Sequence, residues 1–405
     1  MTSSTPTATL DSALLAPTAS IDSWRSAFGR AWRIYLPVRL VLSLCGALTM
    51  LFTQGMPAER SLRAWLSWLL LEPWNRMDVP WYLKIADGGY AIADGRASFH
   101  PLLPLLTRLL GTLLGGNTLL AGLLVANLAC LGFLAALFRY VALDHGELVA
   151  GEALRWALYL PVGFVLLIPY TEPLLLCFTL LALWAARHER WFAAGAWACL
   201  AALTKQPGAA LVAPLLWEAA ARYRWGLLSW RGLRVVACLG LGPLGYLGFS
   251  FYRATMLGEV GGATVGELLR SLLISPQLST GWGTRFGWPW EWLAYVATTP
   301  PKFIQSSMID LVLSAAGLAV VAVALRRERG AVIVYSLIQI VLMTTLIIAG
   351  QPFQSLPRRI FLLFPIFTQL ARWSLRLKLR RAVFLASAAL MLACAAGFIT
   401  FRFIP

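Results

Sequence analysis

Apolar runs follow one another from Leu36 almost to the last residue, separated by short polar gaps. A chain with one soluble core would gather such runs behind a polar surface. Here the polar residues cannot make that surface, because 59% of the chain is hydrophobic and only 13% is charged. Soluble domains carry roughly 25% charged residues. The pattern predicts an all-α, polytopic transmembrane helical bundle, since in a bilayer a spanning segment must satisfy its own backbone. A cytosolic enzyme, a secreted domain and a disordered scaffold are excluded.

The net charge of +16 would suit a nucleic-acid binder if it gathered on one soluble face. Instead the basic residues stand in small clusters between apolar runs, as topology determinants do, so nucleic acid is not an expected partner. Cys45, Cys130, Cys177, Cys199, Cys238 and Cys394 all lie inside apolar runs without CxxC spacing. They read as packing residues and not as a disulfide or zinc framework.

Residues 1–35 form a Ser/Thr/Ala/Pro-rich start without a secretory signal pattern, expected to be a disordered cytoplasmic tail. Residues 36–405 are expected to form one transmembrane domain. Arg25, Arg30, Arg33 and Arg39 place the start of the first run at the inner side. Alternation then gives eleven spans: 36–53, 102–141 (a short helix plus one crossing, broken at Gly115-Gly116-Asn117), 156–169, 173–186, 192–204, 207–221, 235–252, 305–325, 331–349, 358–373 and 382–401. Assigned to the nearer side, 20 of the 34 basic residues fall inside and 14 outside. Among the short loops, Lys205, Arg358 and Arg359 are the outer exceptions.

Two outer loops are long, 54–100 and 255–304. The first contains Glu59, Glu72, Asp78, Asp87 and Asp94 and opens on PAERSLRAWLSWLLLEPW, an interfacial amphipathic pattern. The second is rich in glycine and tryptophan. Between 156 and 221 several spans are shorter than the ~20 residues a bilayer needs. Their outer turns, Tyr170-Thr171-Glu172-Pro173 and Thr204-Lys205-Gln206-Pro207-Gly208, are therefore predicted to lie below the outer surface. Irregular charged backbone at that depth lines a cavity, and ionisable residues there are functional candidates.

The most distinctive stretch is RMDVPWYLKIADGGY, Arg76 to Tyr90, followed by SFHPLLP from Ser98. With PYTE at Pro169 to Glu172, ALTKQPG at Ala202 to Gly208, and SLPRR at Ser355 to Arg359 before FPIF, it resembles the PIG-V-like membrane mannosyltransferases. These are relatives of the second mannosyltransferase of GPI-anchor assembly. The four motifs cover residues 70 to 375 in the family order. Met77 stands where the family usually has tryptophan, His100 where it has phenylalanine, Lys205 where it has arginine, and Arg359 where tyrosine is common.

The resemblance implies the GT-C architecture. It also implies inverting transfer of a sugar, mannose by preference, from a polyprenyl phosphate carrier to a lipid or glycan acceptor at the periplasmic or luminal face. No cofactor is required by this reading, and a divalent metal is left open because relatives of the architecture differ.

Displacing a lipid phosphate from a sugar carbon needs a base on the acceptor hydroxyl and cations around the phosphate. Asp78 is the candidate base, and Lys205, Arg358 and Arg359 are the candidate phosphate contacts. Trp81, Tyr82, Asp87, Tyr90, His100, Tyr170 and Glu172 are candidates for substrate binding or support. Each has a plainer reading beside it: Asp78 as a helix cap, Asp87 as a turn residue, Glu172 with Lys205 as a structural ion pair, the arginines as snorkelling side chains, His100 as loop packing. A lipid-linked sugar flippase or other transporter is the alternative function.

Overall fold

A computed structural model describes residues 23–55, 61–91, 95–258, 264–273, 284–288, 307–348 and 355–402, with a few isolated positions between them. The expected all-α bundle is present: sixteen α-helices among the described residues, joined by short 3-10 turns and one two-stranded ribbon.

Helix α1, Trp24–Thr53, begins well before the predicted start of the first span. The predicted disorder up to residue 35 therefore gives way to helix from Trp24 onward; residues 1–22 lie outside the described residues. Ser23 caps α1, its side chain accepting from the Ser26 amide. Thirty residues at ~1.5 Å each make about 45 Å, more than the ~30 Å hydrocarbon layer. Ala27, Ala31, Tyr35, Val38, Leu42, Gly46 and Met50 are buried at three- and four-residue spacing. Leu36, Leu40, Leu44, Leu48 and Phe52 are exposed on the other side. A helix apolar all round, with one face in protein, has its other face in lipid.

Loop 54–100 supplies four helical pieces, the last a 3-10 turn at Arg96–Ser98. Helix α2, Leu62–Leu70, starts at an N-cap from Ser61 and buries none of its residues, as an interfacial helix should. A 3-10 turn at Glu72–Trp74 leads to α3, Val79–Gly88. Helices α4, Leu102–Leu113, and α5, Thr118–Tyr159, form a hairpin across the predicted break. There Gly115 and Gly116 both take positive φ and the Asn117 side chain caps α5. Helix α5, kinked at Gly146, is the buried axis of the bundle and packs against α1, α4, α6 and α15.

Then come α6, Glu172–Arg187; α7, Trp191–Thr204; α8, Val212–Tyr223; α9, Trp230–Leu239; α10, Leu241–Met256; α11, Val265–Leu273; α12, Ser307–Leu325; α13, Gly330–Thr345; α14, Leu356–Ile360; α15, Pro365–Ser374; and α16, Arg380–Ile399.

Among the described residues, four stretches are long and apolar enough to cross a membrane by length and composition: α1, α5, α9 with α10, and α16. Most of the other predicted spans are broken or short, while α12 runs unbroken for 19 residues within the predicted 305–325 span. The 156–169 run is the end of α5 followed by a 3-10 turn at Gly163–Leu167, with Pro161 between them ending the helix. The 358–373 run divides into α14 and α15 at Phe361–Phe364, before Pro365. The 331–349 run is helical only to Thr345; β2, Leu346–Ile348, then pairs antiparallel with β1, Thr284–Phe286, in the second long loop. Much of that loop lies outside the described residues.

Helices α6 and α7 have 16 and 14 residues, about 24 and 21 Å. Both meet at a charged turn, Arg187 to Arg190. Measured from there, their opposite ends stop roughly 6–9 Å short of a ~30 Å layer. Those ends carry Glu172 and Lys205.

Candidate active site

Asp78 stands at the N-terminus of α3, where an aspartate ordinarily bonds to the helix's own amides. It does not: its side chain makes no capping hydrogen bond. Its Oδ2 instead accepts from Nη1 of Arg358 at 2.9 Å, across 280 residues of sequence. The backbone is bent to permit this. Met77, the preceding residue, has φ 54°, and Ser355, at the start of α14, has φ 60°. Left-handed backbone at non-glycine residues costs on the order of 1–3 kcal/mol each and gathers at functional sites. Here it flanks both halves of one ion pair.

Arg358 also turns its Nε toward Glu172 Oε1 at 3.4 Å and lies over the Tyr170 ring, 4.9 Å from its centroid. Glu172 Oε1 in turn accepts from Lys205 Nζ at 2.6 Å. Lys205 is held at the junction of α7 and a 3-10 turn, Gln206–Leu211. That turn folds back so tightly that a Cβ on Gly208 would run into the Ala201 carbonyl. Arg359 follows Arg358 and lies within electrostatic reach of both Asp78 and Glu172.

The cluster thus holds three cations and two carboxylates, a formal balance of +1. Its exposure is uneven. Glu172 is 1% exposed, Arg358 13%, Lys205 27% and Asp78 28%. Asp78 and Lys205 are the partly exposed members, while Glu172 is buried and engages Lys205 and Arg358.

The other predicted residues fall into two groups. Tyr82, Trp81, Tyr90 and His100 gather around Phe99. Trp81 stacks on the Phe99 ring at 6.0 Å and Tyr82 meets it edge-on at 5.1 Å. The Tyr90 hydroxyl donates to the Phe99 carbonyl at 2.8 Å. Tyr82 reaches the ion cluster from this scaffold: its phenol pKa is pushed well above the ordinary value by burial and by the Asp78 and Glu172 charges.

His100 is buried against Tyr246 and Phe249 and bonds through Nδ1 to the Ala202 carbonyl at 2.9 Å. A carbonyl only accepts, so Nδ1 carries the hydrogen. Burial lowers the His100 pKa to about 4, against the bond to Ala202 and with help from Lys205. The ring is therefore neutral at neutral pH. Asp87 is not brought to the cluster. It is exposed at the far end of α3, roughly 14 Å along the helix from Asp78, and accepts from Thr118 Oγ1 at 3.4 Å.

One residue of the first motif has a role that its sequence position does not reveal. Arg76 is buried, with Nε on the Ile399 carbonyl at 3.0 Å and Nη1 on the Glu72 and Asn75 carbonyls at 2.8 and 3.0 Å. It ties the loop bearing Asp78 to the end of α16. Asp78 and Glu172 are the cluster's carboxylates available to a divalent cation, and Arg358 and Lys205 already engage them. Among the described residues, no three His, Cys, Asp or Glu side chains converge on a metal-sized site.

No protein-family model matches the sequence, and no curated protein matches it. Among solved structures, the chain is similar to ArnT from Cupriavidus metallidurans bound to undecaprenyl phosphate, with 17% identity and a TM-score of 0.48. The similarity covers 89% of this chain, which spans only 63% of that one.

Proposed function

We propose that this protein is a membrane glycosyltransferase of GT-C type, which moves a sugar from a polyprenyl phosphate carrier to an acceptor hydroxyl at the outer face. The observation that carries the reading is the single arginine, Arg358, shared by Asp78 and Glu172 beside Lys205 and Arg359. A carrier phosphodiester has one negative charge, which the cluster's +1 would balance. Its oxygens compete with Asp78 for Arg358, and the fork of the guanidinium suits two oxygens at once. Losing its partner leaves Asp78 free to take the acceptor proton.

The step follows. The acceptor oxygen attacks C1 of the sugar from the face opposite the phosphate, and its proton passes to Asp78. The C1–O bond breaks with its electron pair on the phosphate, inverting C1. Lys205, Arg358 and Arg359 stabilise the extra charge on the departing carrier, which is greatest as the bond breaks. Glu172 positions two of these cations and touches no reacting atom. Mannose is the proposed sugar, on the strength of the PIG-V-like motifs.

Purified protein incubated with a polyprenyl phosphomannose and a lipid extract is expected to release polyprenyl phosphate as mannose appears on the acceptor. The same donor moving intact across a proteoliposome bilayer, with no carrier released, would make the protein a transporter.

A further inference from the structure

The sequence counts Arg39 among the inner cations, but the fold puts it near the middle of α1, roughly 21–22 Å from either helix end. An ionised side chain at that depth is costly and marks function by default. Among the described residues its titratable neighbours are Tyr35 and Cys130, and no carboxylate pairs with it. Its Nη1 donates to the Leu167 carbonyl at 2.9 Å, and its guanidinium lies 5.6 Å from the centroid of the Trp74 ring. The Leu167 carbonyl has a second donor, the Asn127 amide at 3.2 Å, and the Tyr35 hydroxyl donates to Asn127 at 2.8 Å. Satisfying that carbonyl therefore needs no arginine. What the arginine adds is a flat cation that touches two separate segments at once.

Both segments carry residues of the ion cluster. Trp74 ends the 3-10 turn Glu72–Trp74, four residues before Asp78, and is fully buried. It leans on α1 so closely that a Cβ at Gly46 would stand 2.8 Å from its ring. Arg76 clamps the chain between Trp74 and Asp78 to the Glu72, Asn75 and Ile399 carbonyls. Leu167 ends the 3-10 turn Gly163–Leu167, three residues before Tyr170 and five before Glu172. At the other end of the same two segments, Arg358 reaches Asp78 at 2.9 Å and Glu172 at 3.4 Å and lies over Tyr170. The contacts close a ring with an arginine at each end. Arg39 joins the segments inside the membrane, and Arg358 joins them at the site.

We infer that Arg39 is a positioning residue for sugar transfer. It holds the Asp78 segment and the Tyr170–Glu172 segment at the spacing that lets one Arg358 span both carboxylates, and it touches no reacting atom. Its effect on rate rests on the glycosyltransferase reading above; the coupling of the two segments does not.

The test compares Arg39→Met, Arg39→Lys and Trp74→Leu in the full-length protein. Methionine keeps an unbranched chain and removes a costly charge from the membrane, so the melting temperature should hold. With a polyprenyl phosphomannose donor, carrier release should lose about 10- to 100-fold in kcat while donor KM stays near the wild-type value, as misplaced groups do. Lysine can still donate to Leu167 but has no flat face for Trp74, so it should recover part of the rate. Trp74→Leu removes the other end of the contact. The double variant Arg39→Met/Trp74→Leu should therefore be no slower than the worse single variant. Hydrogen exchange read by mass spectrometry should rise together in residues 72–78 and 163–171 and stay unchanged at the Arg187–Arg190 turn.

A wild-type kcat in Arg39→Met overturns the inference. So does a kcat that falls only in step with the melting temperature, losses that add in the double variant, or exchange that rises throughout the bundle. If wild type itself releases no carrier, the glycosyltransferase reading fails, and the exchange pattern alone decides whether Arg39 couples the two segments.

Discussion

The two ends of the bundle handle charge differently. At the end assigned to the inner side, carboxylates meet cations across neighbouring helix termini. Asp144 takes both Nη atoms of Arg187, at 2.6 and 2.9 Å. Glu147 pairs with Arg30 at 3.0 Å, Glu218 with Arg329 at 2.9 Å, and Glu189 with Arg222. These pairs are at least partly in contact with solvent. Such pairs contribute little, ~0–1 kcal/mol, and fix register more than energy. At the other end the Asp78–Arg358 pair is no more buried than Asp144–Arg187, but Glu172 is 1% exposed and the pairing is uneven. One arginine serves two carboxylates, one carboxylate serves two cations, and Arg359 adds a further charge. The inner end also holds a buried carboxylate shared by two cations, Glu152 with Arg155 and Arg380; the outer cluster adds an arginine shared by two carboxylates and a further cation. Taking unmatched charge out of water is costly, and that addition is what a site for a departing anion requires.

The comparison breaks outright if the ends are misassigned. In a cysteine-free background, Arg96→Cys is expected to react with an impermeant maleimide in intact cells and Arg327→Cys to stay unlabelled. The reverse pattern would put Asp78 on the wrong side of the membrane.

Next in size is the shared arginine. Arg358→Ala leaves Asp78 and Glu172 short of a partner, and breaking a buried pair this way costs on the order of 3–5 kcal/mol. Thermal unfolding in detergent should show it, together with weaker polyprenyl phosphate binding. Arg358→Lys is expected to recover only part of either property, because an ammonium cannot span both carboxylates as a fork does. Unchanged stability and binding in Arg358→Ala would reduce the outer cluster to the kind of pairing seen at the inner end.

His100 gives a pH signature to the outer end. Its pKa falls from the ordinary ~6.5 to about 4 in the fold. The unfolded chain therefore binds more protons between these values. The stabilising contribution is complete above pH ~6.5 and is lost as pH falls toward 4. A plot of melting temperature against pH should rise over that window in the wild type. The rise should flatten in His100→Phe, which restores the aromatic residue of the resembling family. An unaltered slope would assign the effect to another group.

The smallest effect belongs to the inner end. Arg222→Ala removes the exposed pair with Glu189, and stability should change by about 0–1 kcal/mol with sugar transfer unaffected.

Much of the bundle was legible because a membrane leaves few choices: an apolar run must be a helix or a barrel strand. The α4–α5 hairpin was readable from Gly115-Gly116-Asn117, and the surface position of α2 from its pattern of leucine and charge. The shortness of α6 and α7 and the charged turns at their ends were legible from the apolar runs. The Leu346–Ile348 strand was not legible, since a β-branched apolar triplet after a helix reads as more of the same span. The breaks at Pro161 and Pro365 interrupt runs of continuous hydropathy, which does not reveal them.

At the site, the sequence nominated Asp78, Glu172, Lys205, Arg358 and Arg359 through motifs and the misplaced basic residues. It could not say that Asp78 and Arg358 touch, because no local periodicity couples residues 280 apart. The role of Arg76 leaves no sequence signal, since its partner is the Ile399 backbone carbonyl, 323 residues away.

The central claim is that donor phosphate and Asp78 compete for Arg358, and Asp78→Asn tests it most directly. The substitution keeps the shape, removes the basicity and raises the cluster's formal charge from +1 to +2. Polyprenyl phosphate affinity and sugar transfer should be measured on the same purified variant. The account predicts opposite movements: binding several-fold tighter, since electrostatic competition is gone, and transfer slower by about two to four orders of magnitude. Weaker binding together with slower transfer would mean that Asp78 merely holds Arg358 in place. Near-normal transfer would mean that it is not the base.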